Sequence, residues 1–308
     1  MTDTAEIAQA REQLLRTGLF ARDAVRAARF ARLGGLTNKN WRIEADRRVL
    51  VLRIPGEGTS AYIDRKVEKH NAEIAARAGV NAEVLHFDPD TGVMICAYVE
   101  GATMDAARFR DLGAVARAAR AFRRMHDWPE AFQTRFDLFQ KMDEYLTLLR
   151  KLQAPVPEGY EHAQAEASAV RAALERNPAA LAPCHCDPLA ENFLDTGSRM
   201  VIVDWEYSGM NDPMWDLGDL SVEAGFGPGQ DQALLQAYFE GAPPPEAQAR
   251  MILYKAMCDL LWTLWGVIQH ANQNPAEDFW AYAVGRFERC RKLMARQEFA
   301  GALERLSR

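Results

Sequence analysis

Positive charge is in deficit in this chain: 37 Lys and Arg stand against 43 Asp and Glu, a net charge of −6 over 308 residues. That balance offers no general electrostatic footing for nucleic acid or an anionic membrane, and it suits a cationic ligand better than a polyanion. Cysteine is sparse and odd in number. Cys96, Cys184, Cys186, Cys258 and Cys290 lie in mostly apolar surroundings, which predicts reduced core thiols and not a disulfide framework. Cys184 and Cys186 flank His185, but no second cluster at ligand spacing supplies the remaining donors of a structural zinc. Long apolar runs are missing as well. The stretch around Leu260 to Ile268 is too short to span a bilayer, and the start MTDTAEIAQAREQLL is acidic and interrupted, unlike an export signal. A cytoplasmic protein is expected. Repeats and low-complexity tracts are also lacking, and a composition of 48% hydrophobic and 26% charged residues is that of a folded globular chain.

Residues 1–28 read as one alanine-rich helix. From Arg29 the texture becomes β-like, with the runs FARLG, NWRIEA and RVLVLRI separated by Gly34-Gly35 and Asp46-Arg47, which predicts a three-strand meander. A helix over 61–78 follows, with Ile63, Val67, Ile74 and Ala78 at helical spacing and Gly79 as a left-handed stop. Strands at 83–87 and 93–99 flank the turn DPDTG. Beyond Gly101 the pattern is helical, at 105–126, 136–152, 160–176, 230–240, 246–270 and 277–304, interrupted in 181–205 by the strand-like runs FLD and MVIVDW. The expected fold is therefore α+β and two-lobed: a small, mostly β lobe over 1–99 with a leading helix, and a large α-rich lobe over 100–308. A ligand belongs in the cleft between them.

The segment CHCDPLAENFLDTGSRMVIVDWEYSG carries the chemistry. His185, Asp187 and Asn192 precede an apolar strand that ends in Asp204. Phosphoryl transfer needs one carboxylate to orient the attacking hydroxyl and take its proton, and a second carboxylate with an amide oxygen to hold Mg²⁺ against nucleotide phosphates. Asp187 suits the first role; Asp204 and Asn192 suit the second. His185 completes the catalytic loop by orienting it through hydrogen bonds.

This segment resembles the catalytic and metal-binding loops of the aminoglycoside-phosphotransferase-like branch of the protein-kinase-like fold. The longer string Asp204, Glu206-Tyr207, Asn211, Asp216, Gly218 and Glu223 is similar to the choline/ethanolamine kinase family in particular, and the resemblance runs from about Arg29 to Phe287. It implies ATP and Mg²⁺ as cofactors, with Asp216 and Gly218 bracing the catalytic loop from below. A phosphate-covering turn then falls at LGGLTNKNW, where Gly34 and Gly35 let backbone N–H groups approach and Thr37 or Asn38 add donors. Arg53 stands where protein kinases carry lysine, and its planar fork suits phosphate oxygens. For its acidic partner the helix offers Glu68 and Glu73; Glu68 lies about 90° from the centre of the apolar stripe and Glu73 about 130°, so Glu68 is the candidate. The connection AYVEG resembles a kinase hinge, with Val99 and Glu100 beside the adenine edge.

Aromatic residues point to the acceptor. Trp262 and Trp265 are three apart on a helix, and Trp280 and Tyr282 follow. A quaternary ammonium donates no N–H hydrogen bond and is held by ring faces and negative charge. The runs W-x-L-W-x-x-x-Q and A-x-x-R-F are similar to the stretch that forms the choline cage in choline kinases, which makes Trp262, Trp265 and Tyr282 walls of that cage and places Glu223 near the ammonium. The segment AGFGPGQ after Glu223 is poorer in aromatics than the resemblance implies, so Phe226 replaces that wall or it is missing. Trp205 reads as packing and His126 as a helix cap. The expectation is an ATP- and Mg²⁺-dependent kinase with choline as the small cationic acceptor. Ethanolamine, thiamine, an aminoglycoside or a sugar remain alternative acceptors, and a non-catalytic binding protein on the same fold is the alternative outside enzymes.

Overall fold

The computed structural model describes residues 2–35, 38–56 and 63–308. The leading segment is two helices, α1 (Thr2–Arg16) and α2 (Arg22–Ala27), where one was expected. Gly18 adopts φ +69°, a conformation that ends α1 and lets the chain turn back. Arg11 of α1 then donates to the carbonyls of Arg26 (2.8 Å) and Ala28 (3.3 Å), tying down the end of α2.

The expected meander is β1 (Arg29–Arg32), β2 (Lys39–Ala45) and β3 (Arg48–Ile54). Helix α3 (Arg65–Arg77) follows, then β4 (Val84–Phe87) and β5 (Met94–Ala97), giving an antiparallel five-stranded sheet of order β1-β2-β3-β5-β4. Period-two alternation gives this sheet two apolar faces. Trp41, Ile43, Leu50, Leu52 and Ile95 pack with Ala10, Leu14 and Val25 of α1 and α2. The opposite face carries Phe87, Met94 and Cys96, and Arg53 lies over the Phe87 ring. Alternation thus turns Arg53 away from the α1–α2 side. Asp64 caps α3 by accepting from the N–H groups of Lys66 (2.9 Å) and Val67 (3.2 Å), a contribution of about 1 kcal/mol. The expected start of this helix at 61 lies outside the described residues. Its stop at Gly79 has φ +71°.

The larger lobe opens with β6 (Ala102–Thr103). A 3-10 turn at Arg108–Arg110 precedes α4 (Leu112–His126), so the helix begins at Leu112 and not at 105, because Asp111 caps it there. Then come α5 (Leu138–Leu152), α6 (Tyr160–Arg176), β7 (Ala182–Cys184), β8 (Phe193–Asp195), β9 (Met200–Ile202), β10 (Gly209–Asn211), α7 (Pro213–Glu223), α8 (Pro228–Phe239) and α9 (Pro245–Ala271). The expected run over 277–304 is two helices, α10 (Phe279–Met294) and α11 (Gln297–Ser307), broken where Arg296 turns extended. Strands β6, β8 and β9 form one small sheet, β7 and β10 another.

The α9 helix is the spine of this lobe, packed by α7, α10, α11 and α5. At 27 residues it is long and apolar enough by length and composition to cross a membrane, contrary to the reading of 260–268 alone. In the structure most of its apolar window is buried against those helices. All five cysteines are buried free thiols.

Candidate active site

The catalytic loop leaves β7, turns through Cys186 at φ +69°, and re-enters structure at β8. Asp216 of α7 holds that turn from below, fully buried, accepting from the backbone N–H of His185 (2.7 Å) and of Cys186 (2.8 Å). His126 Nε2 adds a third bond at 3.0 Å. The carboxylate can only accept, so Nε2 carries the proton and Nδ1 accepts from Tyr238 Oη at 2.9 Å. His126 therefore braces the loop from inside the core, where a helix cap was expected. Gly218 permits the close packing of α7: a Cβ there would meet the Met251 carbonyl at 3.0 Å. Removing the Asp216 charge with Asp216→Asn sets an amide against these donors. The expected cost is about 2–4 kcal/mol, read from urea unfolding; a loss within experimental error would refute the bracing role.

His185 is buried with both ring nitrogens committed. Nε2 donates to the Val203 carbonyl at 2.9 Å, and Nδ1 accepts the Asp187 N–H at 3.3 Å. Burial pulls its pKa below the ordinary value, so the ring is neutral. The structure makes it a positioning residue with no nitrogen left for proton transfer, in keeping with the orienting role expected of it. Asn192 donates Nδ2 to the Asp187 carbonyl at 3.1 Å, leaving its Oδ1 as the atom with capacity for a cation. Asp187 is half-buried. Burial pushes its carboxyl well above the usual range, and the negative charges of Asp219, Glu223, Asp204 and Glu206 push it further. This is the profile of a base that a cation nearby would sharpen.

Further along the same segment, Asp204 sits at φ +66°, two residues after β9. Its Oδ1 accepts from Arg53 Nη1 at 2.9 Å, and Arg53 also pairs with Glu68. Glu68 is thus the buried partner that helical geometry selected, while Glu73 pairs with Lys69 near the surface. Carboxylate oxygens of Glu68, Asp204 and Glu206 lie within 4.8 Å of one another. Arg65 bridges Glu68 (2.6 Å) and Glu206 (3.1 Å). Burial, with Asp204 beside it, pushes Glu206 up to about 7. Asn38, expected as a phosphate donor, is instead buried with Nδ2 shared between Asp204 and Glu206 at 3.3 Å each.

The turn before it is tightly held at its glycines. Gly35 has φ +147°, and a Cβ there would sit 2.5 Å from the Asn38 carbonyl oxygen. Asn40 Nδ2 holds the Gly34 carbonyl at 3.0 Å. Thr37 lies outside the described residues. At the connection between the lobes, Glu100 is exposed and Val99 packs on the Phe87, Met94 and Cys96 cluster.

Four aromatic rings, among them Tyr282 within electrostatic reach of Asp187, form two contacting pairs. Tyr207 and Trp262 stand edge to face at 5.4 Å, Trp265 and Tyr282 at 5.8 Å. Trp262 and Trp265 share one side of α9, and α10 approaches closely because Gly266 has no side chain; a Cβ there would meet the Tyr282 ring at 2.7 Å. Phe226 is no wall of this group. It packs edge to face on Phe109 at 5.4 Å in the core beneath, since the turn after α7 carries it there. Tyr207, three residues after Asp204, takes the extra position. Trp280 lies apart, against His270 at the far end of α9. Glu223 is present beside this group but is paired with Arg286 at 2.5 Å. Trp205 packs as expected, edge on to His185 at 4.7 Å.

Sequence reading passed over Arg65 and Asp219, and gave Glu206, Tyr207 and Arg286 no role beyond their place in the family-like strings. Glu206 and Tyr207 had a local signal, two and three positions after a metal-type aspartate on a short loop. Arg65 has one near partner, Glu68 three positions on, but its other partner Glu206 and both carboxylates paired with Arg286 lie far away in sequence.

The phosphotransferase enzyme family, APH, matches residues 30–251. A choline/ethanolamine kinase family protein from Mesorhizobium loti is 50% identical with a TM-score of 0.87, covering 97% of this chain and 98% of that one. The choline kinase LicA from Streptococcus pneumoniae is 28% identical with a TM-score of 0.76, covering 87% and 93%. Ethanolamine kinase 2 of Mus musculus is 28% identical over 86% of this chain and 75% of its own.

Proposed function

The chain belongs to the APH phosphotransferase family, and within it to the choline/ethanolamine kinases, and from that premise we propose that it transfers the γ-phosphoryl group of ATP, with Mg²⁺, to the hydroxyl of choline. That it is a phosphotransferase with an alcohol as acceptor follows from the family. Choline as the acceptor rests on one observation, the ring contacts of Tyr207 with Trp262 and Trp265 with Tyr282 beside Asp187. Aromatic faces hold a methylated ammonium that offers no N–H donor, at up to about 2 kcal/mol per desolvated contact. A primary ammonium such as ethanolamine would call for convergent oxygen acceptors. Here the indole N–H groups of Trp262 and Trp265 are donors, buried without acceptors among the described residues.

In this reading residues 1–99 carry the nucleotide half and 100–308 the acceptor half. The backbone at Gly34 and Gly35 covers the phosphates, and Arg53, held rigid by Glu68, offers its guanidinium to their oxygens. Glycine is required at position 35 because that backbone lies too close for a side chain. Backbone groups near Val99 and Glu100 meet the base. The donor set of Asp204, Glu206 and the Asn192 amide oxygen is all oxygen, which suits a hard divalent cation. When bound there, Mg²⁺ supplies charge neutralisation for the phosphates. Asp187 accepts a hydrogen bond from the acceptor hydroxyl, aligns its oxygen with the γ-phosphorus and takes the proton as the new O–P bond forms and the bond from the γ-phosphorus to the bridging oxygen breaks, releasing ADP. His185 and Asp216 keep that carboxylate in place. The need for ATP is the reason to assign the reaction to the cytoplasm.

ADP release with Mg·ATP tests the reading against choline, ethanolamine, thiamine, a sugar and an aminoglycoside. Choline should support the highest kcat/KM. A second arm uses Trp265→Leu, which keeps an apolar side chain on a half-buried site. Choline KM should rise about tenfold or more with kcat little changed. Equal kinetics for Trp265→Leu and the unmodified protein would return the rings to plain core packing.

A further inference from the structure

Asp219 stands one helical turn before Glu223 on α7, and Cys258 one turn before Trp262 on α9. The Cys258 thiol donates to Asp219 Oδ1 at 2.8 Å. The other oxygen, Oδ2, is buried with no hydrogen-bond partner, and the residue as a whole is 0% exposed. Ligand atoms of Asp219, Glu223 and Cys258 all lie within 4.8 Å of one another.

The charges around this group can be tallied from their partners. Glu223 pairs with Arg286 at 2.5 Å. Asp259 takes Arg286 at 3.2 Å and Arg289 at 2.6 Å. Two guanidinium groups thus serve two carboxylates, and Asp219 has no ion-pair partner among the described residues. A thiol is a weak donor and no substitute for a cation. Burying an ionised carboxylate without a cation is unfavourable, and burial together with Glu223 pushes the Asp219 carboxyl well up.

We propose that Asp219 is the counter-ion of the acceptor pocket, a specificity residue that favours alcohols with a positive charge over neutral alcohols of the same shape. The inference rests on the acceptor reading above. Glu223, one turn further along α7, is already paired with Arg286, so the carboxyl whose ionised form a bound cation would stabilise is Asp219. A cation held between the Trp262 side of α9 and the Glu223 end of α7 supplies what Asp219 lacks, without touching it.

The test compares choline with 3,3-dimethylbutan-1-ol, in which carbon replaces the ammonium nitrogen. The unmodified protein should prefer choline in kcat/KM by about tenfold or more. In Asp219→Asn, which keeps an acceptor for the Cys258 thiol, choline KM should rise about tenfold while the KM of the neutral alcohol moves less than about twofold. If ethanolamine is the better acceptor, ethanolamine and propan-1-ol form the pair and the same ratios apply. Equal effects of Asp219→Asn on both members of the pair would mean a purely structural role and overturn the proposal. So would indifference of the unmodified protein to the charge, a result that needs no variant to fold. Asp219→Ser gives a second neutral side chain should the asparagine variant be unstable. Failure of the unmodified protein to phosphorylate any cationic alcohol overturns the acceptor reading itself, and this inference with it; retained choline selectivity in both variants overturns this inference alone.

Discussion

Asp187→Asn should lower kcat by about 10²- to 10⁴-fold with every acceptor that the protein uses, while Mg·ATP still binds. The amide keeps the shape of the side chain and removes the basic oxygen, so the loss reads proton acceptance and alignment and not folding. The supports of the loop do not depend on the carboxylate: His185 and Asn192 engage the backbone of Asp187, and Asp216 holds the two preceding N–H groups. Steady-state kinetics with calorimetric nucleotide binding decide the matter, and retained turnover in the variant would remove Asp187 from the mechanism. A pH profile adds a second reading. The Asp187 carboxyl is raised in the free protein by burial and by four negative neighbours. A raised base is lost as pH falls through its pKa, so the acid limb of kcat/KM for choline should lie above the usual carboxylate range. Bound cations offset those neighbours, which should move the limb of kcat to lower pH.

The second large effect is expected at Asp204. Asp204→Ala should weaken Mg²⁺-dependent ATP binding by about 100-fold or more, because the loop loses the carboxylate around which the oxygen donors gather. The sign of the metal-free measurement is the informative part. With Asp204 gone, an anion that faces the phosphates disappears and Arg53 Nη1 is released from its 2.9 Å pair. ATP affinity in EDTA should therefore hold or improve. Titration of ATP into both proteins, with and without Mg²⁺, separates the outcomes; an unchanged dependence on Mg²⁺ in the variant would place the metal elsewhere.

Both predictions concern residues on a loop of local pattern, and that is where the sequence was most readable. His185, Asp187 and Asn192 are spaced within one turn and the following strand, so their relation is set by a few backbone dihedrals and survives any tertiary arrangement. The same holds for Arg53 and Glu68. Alternation along β3 decides the face of Arg53, and the 3.6-residue repeat of α3 decides that Glu68, and not Glu73, borders the buried stripe. Periodicity also marked the five-stranded sheet and most helices. It failed at breaks with little local signal: Arg296 interrupts 277–304 through backbone conformation, and Asp111 rather than residue 105 begins α4.

Partnership was the part that sequence left open. Glu223 was placed beside the acceptor, but its pairing with Arg286 sets two charges 63 positions apart in the chain against each other. Arg65 reaches Glu206, and Asn38 reaches both Asp204 and Glu206, from the smaller lobe to the larger. Phe226 is aromatic and near Glu223 in sequence, yet the turn after α7 delivers it to Phe109. Tyr207 takes the place by Trp262 instead. The sequence alone determined which side chains are candidates for the chemistry and which face of its own helix or strand Arg53 and Glu68 occupy, because those follow from short-range backbone geometry. Only the tertiary structure decided which charges cancel and which remain, because electrostatic balance depends on distance and burial in space, and the packing in which α7 meets α9 leaves Asp219 fully buried with no ion-pair partner among the described residues.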